Sequence, residues 1–311
     1  MELQFLGTGA GMPSKERNTT AIMLKLLEET GEMWLFDCGE ATQHQILQTP
    51  LKPRRVTKIF ITHLHGDHIF GLPGFLSSRS FQGGEEGVTL YGPKGLQAWI
   101  ELTLATTGTH LTYPIHYVEV SPGVIFEDEH FIVEADLLAH VIDSYGYRIT
   151  QKDLPGELDV VKAHALGVPN GPLLGQLKRG EDVCVEGVVI TSAQVVGAPR
   201  KGFVVTLLGD TSFTEAAIRL SKHADIVVHE ATFDHTMQDL AKRFGHATVA
   251  DAARVAEQAQ ARHLILTHIS GRFLAQDYPR LLEEAQAIFP QTVMAHDFCQ
   301  FSLYNNELNC V

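Results

Sequence analysis

One hexapeptide concentrates more chemistry than any other stretch of these 311 residues: His63-Leu64-His65-Gly66-Asp67-His68, delivered by the run Thr57-Lys58-Ile59-Phe60-Ile61-Thr62. Imidazole nitrogens and carboxylate oxygens are donors that zinc accepts, and alternation along an extended chain puts His63 and His65 on one side. Asp67 and His68 can then reach a second ion, with Gly66 expected to let the backbone turn tightly between the two pairs. Six residues cannot complete two tetrahedral sites, so further His or Asp side chains are expected where other apolar runs end. Three positions meet that description: His140 after FIVEADLLA, Asp210 after FVVTLLG, and His268 after HLILT. Any one alone would more often be a cap or a turn residue. With the hexapeptide they make seven donors for two Zn²⁺ per chain, and Asp210 is the economical bridge. One ion would take His63, His65, His140 and Asp210, and the other Asp67, His68, His268 and Asp210.

Two Zn²⁺ with two carboxylates and a shared hydroxide leave one net positive charge, so such a pocket favours an anion. Paired metals also clamp the attacking and leaving oxygens of an in-line displacement and lower the pKa of bound water towards ~7. Phosphodiester hydrolysis fits this well. Amide or thioester hydrolysis fits almost as well, so the ligands alone do not choose a substrate.

Positioning these side chains requires strands that end together. Short β-like runs at Leu3–Leu6, Ala21–Leu27 and Met33–Phe36 open the chain, separated by Gly, Pro and Asn turns. Alternation follows: strands Lys58–Ile61 and Val88–Tyr91, a helix from near Gly71, and a helix over Gly95–Thr106 entered through Pro93. Strands near Ile115–Val120, Val124–Phe126 and Phe131–Leu137 lead to His140. The second half repeats this logic with strands Phe203–Leu208, Ile226–His229 and His263–Leu266 between helices Thr214–Lys222, Val249–Gln260 and Tyr278–Phe289. Thr248 and Asp251 have capping-box spacing, which starts a helix just after His246. Two mixed halves predict an α/β protein, an αββα four-layer sandwich filling residues 1–311 as one domain.

Gln151–Val183 breaks the rhythm, with Pro155, Pro169, Pro172 and several glycines and no sustained period. About 30 residues of loop in a compact domain usually have a function, so residues 151–183 are expected to form a protruding, flexible inserted arm.

Composition narrows the class further. A 44% hydrophobic share, 20% charged residues and no apolar run near the ~18–20 residues of a membrane span predict a soluble, cytoplasmic protein with no membrane association. The cysteines Cys38, Cys184, Cys299 and Cys310 have no CxxC spacing and point to neither a thiolate metal site nor a disulfide framework. The net charge of −13 argues against a polyanionic partner unless a local basic surface exists. Lys15 with Arg17, the group Lys52, Arg54, Arg55 and Lys58, and the pair Lys178-Arg179 are candidates, the second of them being more simply a solvated face.

The hexapeptide resembles that of the metallo-β-lactamase superfamily, which implies its fold and metals. Narrower matches resemble the ribonuclease Z family, from Leu6 to about Phe273. Pro13-Ser14-Lys15-Glu16-Arg17-Asn18 is similar to that family's PxKxRN loop, associated with reading a tRNA 3′ end. Phe36-Asp37-Cys38-Gly39-Glu40-Ala41-Thr42-Gln43 is similar to FDCGEGTQ, with Ala41 where glycine is usual. His229-Glu230-Ala231-Thr232 matches HEAT, and Gly171-Pro172 matches the GP of a tRNA-gripping arm. Phe273 stands where tyrosine is common.

The resemblance implies a zinc endoribonuclease that cuts the 3′ trailer from precursor tRNA by attack of metal-activated hydroxide, leaving a tRNA 3′-hydroxyl, and that works as a homodimer. It implies that Asp67 is both ligand and proton acceptor, and that His246, positioned by Glu230, serves the leaving oxygen. A histidine just before a helix N-terminus also lies where amides favour phosphate. Lys15, Arg17, Asn18, Gly171, Pro172, Ser270 and Arg272 are the expected substrate contacts. Another hydrolase of the superfamily, or a metal-stabilised RNA-binding module without catalysis, are the competing readings. The long insertion and the Pro13–Asn18 loop weigh against the first, and seven apparent ligands with Asp67 intact against the second.

Overall fold

The structure is a computed structural model that describes residues 1–304 and 307–310. Two compact units divide the chain: Met1–Glu127 with Val133–Ile149 and Val204–Val311 form the first, and Asp128–Ile132 with Thr150–Phe203 the second.

Two sheets build the first unit. One runs, in spatial order, through Glu307–Cys310, Gln300–Tyr304, Glu2–Gly7, Ala21–Leu26, Glu32–Phe36, Val56–Phe60, Val88–Gly92 and Ile115–Glu119; the other runs through Thr292–Met294, His263–Thr267, Ile226–Glu230, Val204–Leu208, Tyr145–Gln151, Phe131–Leu137 and Gly123–Glu127. The β-period explains why they stack. On Glu32–Phe36, Met33 and Leu35 turn outward to pack with Ile46, Leu72, Phe75 and Leu76 from the helices Thr42–Leu47 and Leu72–Phe81. Trp34 and Phe36 turn the opposite way. There Phe36 stacks on Phe60 at 4.8 Å and Phe60 on Tyr91 at 4.6 Å, while Phe126 and Tyr147 of the second sheet meet Trp34 at 5.9 Å and Phe60 at 5.3 Å. Helices Glu215–Leu220, Val249–Gln258 and Tyr278–Gln286 cover the far face of the second sheet through Ala217, Leu220, Ala252, Val255, Ala256, Leu281 and Ala285. This is the expected order of helices, sheet, sheet, helices.

The central strands of the second sheet, Val204–Leu208, Ile226–Glu230 and His263–Thr267, are parallel and in register. Their C-terminal ends therefore release Asp210, Glu230 and His268 at one edge. Across the way, Val56–Phe60 lies parallel to Glu32–Phe36 and releases His63 near Asp37.

In the second unit, Ala163, Val168, Leu177, Val183, Ile190 and Val195 form a small core of their own. Helix Val160–Ala165, capped by Asp159, helix Pro172–Lys178 and the hairpin of Val183–Val185 with Val188–Ile190 supply it. The arm expected over residues 151–183 thus carries regular structure and continues beyond Val183 to Phe203, where Gln151 N donates to Phe203 O at 2.9 Å. Helices of six or seven residues hold too few apolar positions to show a period in sequence. Pro172 occupies the first turn of its helix after Gly171, whose φ of 141° lies outside the range ordinary side chains favour.

Candidate metal centre

All seven expected ligands meet at the edge where these strands end. His63, His65, His140 and Asp210 bring one donor atom each within 4.8 Å of one another, and so do Asp67, His68 and His268. Asp210 Oδ2 lies 3.6 Å from His63 Nε2, 3.5 Å from His68 Nε2 and 3.5 Å from His268 Nε2, and so stands between the two groups. His63 and Asp210 are almost wholly buried.

The nitrogens converge in a way that imidazoles alone do not tolerate. His65 Nδ1 is 3.1 Å from His63 Nε2 and 3.2 Å from His140 Nε2, and His68 Nε2 is 3.3 Å from His268 Nε2. The opposite ring nitrogens are committed elsewhere. His63 Nδ1 lies 3.0 Å from the Thr62 hydroxyl, His68 Nδ1 2.7 Å from Asp37 Oδ2, His140 Nδ1 2.7 Å from Gly245 O, and His268 Nδ1 3.0 Å from the Thr232 hydroxyl. Since Thr62 donates to Asp37 and Thr232 to Glu230 Oε2, both hydroxyls are acceptors for the rings. Each of those rings can then hold a proton on Nδ1 and turn Nε2 inward, the tautomer a metal ligand needs. Facing lone pairs fit a cation between them, and the His and carboxylate donor set is one that zinc accepts.

Charge and burial compete at every group: burial would lower the His68 pKa, but Asp210 and Asp37 push it well above its usual value. Burial and the neighbouring His68 push the His63 pKa well below its usual value, which keeps the ring neutral. Burial alone would raise Asp210, but His268, His68 and His63 hold it well below the carboxylate range. Asp67 is likewise lowered against burial, chiefly by the interaction with His268 and the charge of His68, and its Oδ2 accepts Gly11 N at 2.7 Å. Asp37 and His268 both adopt positive φ, at 55° and 56°, an uncommon backbone for such residues and one that gathers at functional sites.

Beside the ligands, His246 Nδ1 lies 2.8 Å from Glu230 Oε1 and 3.8 Å from Asp210 Oδ2. Glu230 is buried and also accepts Thr211 N and the Thr232 hydroxyl. Burial would lower the His246 pKa, but the charge and hydrogen bond of Glu230 raise it to about 9. Thr248 opens the next helix with the capping box read from sequence, accepting Asp251 N at 3.1 Å while Asp251 Oδ2 accepts Thr248 N.

Gly66 starts the helical turn Gly66–Ile69 between the two pairs, and an added Cβ would meet the ring of Phe70 at 2.2 Å. The contacts expected of the Pro13–Asn18 loop change at this level. Arg17 is not offered to solvent. It is buried, donates to Thr8 Oγ1, Ala295 O and Tyr278 Oη, and lies over the Tyr278 ring at 4.3 Å, so its visible contribution is to brace the loop. Asn18 serves the same end through Nδ2 to Glu40 O and its amide to Asp297. Lys15 stays exposed, and with Ser14, Ser270, Phe273 and Tyr278 it lines a cavity of about 200 Å³. Arg272 is exposed, as are Gly171 and Pro172 in the second unit. Lys58 is spent on Glu32 at 3.0 Å and on the rings of Trp34 and Phe126, and Arg179 on Glu181 at 2.9 Å.

Sequence reasoning assigned no role to Asp37, Thr62, Thr232 or Gly245, the residues that orient the ligand rings. Asp37 had a readable signal, since it ends the apolar strand Glu32–Phe36 just as Asp210 follows Val204–Leu208. The Gly245 carbonyl had none, because backbone acceptors carry no sequence mark.

Comparison with known proteins agrees with this geometry. The family model described as "Beta-lactamase superfamily domain" matches residues 176–269, and that of "Anti-Pycsar protein Apyc1" matches residues 1–137. The metallo-β-lactamase-fold protein YhfI from Bacillus subtilis superposes with a TM-score of 0.67 at 20% identity, over 96% of this chain and 98% of its own. Fold and ligand cluster together define a metal-binding α/β protein of the metallo-β-lactamase class. Ribonuclease Z of Anoxybacillus flavithermus is 54% identical over 304 residues, 97% of each chain, and that of Geobacillus kaustophilus is 54% identical over 97% of this chain and 99% of its own. Human tRNase Z, short form, superposes with a TM-score of 0.72 at 32% identity, over 98% of this chain and 100% of its own. The chain belongs to the ribonuclease Z family.

Proposed function

We propose that this protein is a zinc-dependent endoribonuclease that removes the 3′ trailer from precursor tRNA, using two Zn²⁺ per chain and leaving a 3′-hydroxyl on the tRNA. The observation that carries this reading is the convergence of seven donors beside a Glu230–His246 pair. Relatives named ribonuclease Z and the superposition on a tRNase Z support the substrate class.

His63, His65 and His140 with Asp210 would hold one ion, and Asp67, His68 and His268 with the same Asp210 the other. Bound there, the metal would supply Lewis acidity towards a phosphodiester and a nucleophilic water near neutral pH. Asp67 Oδ2 accepts Gly11 N and faces His268 Nε2 across the proposed metal position, which leaves Oδ1 to accept the proton of the attacking water. Glu230 fixes His246 through Nδ1, which leaves Nε2–H to protonate the leaving oxygen. Lys15, Ser270 and Arg272 are the proposed contacts to the RNA near the site; Arg17 and Asn18 shape the loop that presents Lys15. Residues 151–183 with Gly171-Pro172 are proposed as the arm that grips tRNA, recognising shape because Asp153, Glu157, Asp159, Glu181 and Asp182 offset its cations. A homodimer in the cytoplasm is the state the family resemblance implies. Among the described residues no helix is long and apolar enough to cross a membrane.

Replacing Asp67 with Ala tests the catalytic half of this reading. Filter binding should show tRNA bound as before while trailer cleavage falls by at least about a hundredfold. Cleavage that survives the substitution would remove Asp67 from the reaction.

A further inference from the structure

The proposed reaction fixes which side of the substrate His246 must face. The oxygen of water forms a bond to phosphorus as the bond from phosphorus to O3′ breaks. The proton of the water passes to Asp67, the proton on His246 Nε2 passes to O3′, and the trailer departs with a 5′-phosphate. O3′ belongs to the last nucleotide that the tRNA keeps. That nucleotide, and not the first of the trailer, must therefore lie against His246.

A cavity of about 360 Å³ opens there, with His246 in its wall together with Phe213, Gln238, Lys242, Asp251 and Arg254. Its size falls within the range of small-ligand pockets. The neighbouring cavity beside Lys15 and Ser270 does not include His246. Most of the polar wall is already satisfied: Asp251 accepts Arg254 at 2.9 Å and Gln238 at 3.0 Å. Two groups are left over. Lys242 is exposed and has no ion-pair partner among the described residues. Phe213 leaves 38% of its surface exposed and lines the cavity. It follows Asp210 by three residues, so its Cα lies within ~11 Å of the Cα of the proposed bridging ligand.

We propose that the base of the last retained nucleotide turns out of the acceptor strand and stacks on Phe213, with Lys242 meeting a phosphate on its 5′ side. An aromatic face paired with a cation is the usual platform for one unpaired base, and it tolerates any base. The proposal rests on the tRNA-trailer reading above and assigns specificity to residues outside the metal cluster.

The test is a coupling experiment on precursor tRNAs that are abasic either at the last retained nucleotide or at the first trailer nucleotide. Single-turnover cleavage by the metal-loaded protein is compared with that by Phe213→Ala, Phe213→Trp and Lys242→Gln, each checked for unchanged melting temperature. Loss of stacking should slow Phe213→Ala by about tenfold on intact precursor, and Phe213→Trp should recover the rate. Removing the last retained base should slow the unsubstituted protein by a similar factor and add nothing to Phe213→Ala. Removing the first trailer base should slow both proteins equally. Lys242→Gln should weaken binding of every precursor and reduce its salt dependence. Coupling of Phe213 to the trailer base, or to neither base, overturns the assignment. Failure of the unsubstituted protein to cut any precursor would instead overturn the underlying reading.

Discussion

Asp37 holds two parts of the centre at once, taking His68 Nδ1 at 2.7 Å through Oδ2 and Thr62 N at 2.8 Å through Oδ1. Partners of this kind set the tautomer and basicity of a metal-bound imidazole, and their loss weakens metal affinity about 10–100-fold. Asp37→Asn should show that loss in a chelator competition while the protein stays folded; undiminished affinity would mean that Thr62 and the backbone suffice. Glu230 and His246 are separable from metal holding. Glu230→Gln keeps a hydrogen bond but loses the charge that raises His246, so zinc content should stay full while kcat for trailer cleavage falls, and His246→Ala should lower kcat by about 10²–10⁴. Equal loss of zinc and activity in both variants would make the pair structural. The seven converging side chains were legible because His63, His140, Asp210 and His268 each follow an apolar run, and His65, Asp67 and His68 crowd behind the first of them. The orienting residues were not, since a threonine beside a histidine or a glycine carbonyl looks the same in sequence whether or not it aims a ring.

At the scale of elements, parallel register does the positioning: three neighbouring strands of the second sheet end level, so Asp210, Glu230 and His268 emerge side by side. Strand ends and the capping box at Thr248 follow from local sequence. The strands Tyr145–Gln151 and Gln300–Tyr304 do not, because their alternation is too mixed to separate from loop. The turn at Gly245 is a second positioning device. Its φ is 71°, and a Cβ there would sit 3.0 Å from His140 Nδ1. Gly245→Ala should therefore cost roughly 1–2 kcal/mol of backbone strain and also displace His140, seen as a lower melting temperature with zinc lost. Gly83, with φ of 77° and open space around its Cβ position, gives the comparison. Gly83→Ala should show the strain with zinc content unchanged. Zinc retained by both variants would separate His140 from the turn.

For the whole molecule, a net charge of −13 leaves tRNA recognition to local surfaces, and two of the candidate cations, Lys58 and Arg179, are already paired within the protein. We propose that shape recognition by the unit over Thr150–Phe203 works beside the cations Lys15, Arg272 and Lys242. Because Gln151 and Phe203 pair through their backbones, residues 152–202 can be replaced by a short turn. Precursor cleavage should collapse and hydrolysis of a small phosphodiester survive; loss of both would make the unit structural. The boundaries of that unit escaped sequence reading because its core is assembled from helices and strands only three to seven residues long. The central claim is tested most directly by incubating zinc-loaded protein with a precursor tRNA that carries a 3′ trailer and mapping the product ends. The account predicts one cut directly after the discriminator nucleotide, a 3′-hydroxyl on the tRNA, abolition by a chelator and recovery on adding Zn²⁺. No cut at that position, or a cut that the chelator leaves untouched, would contradict it.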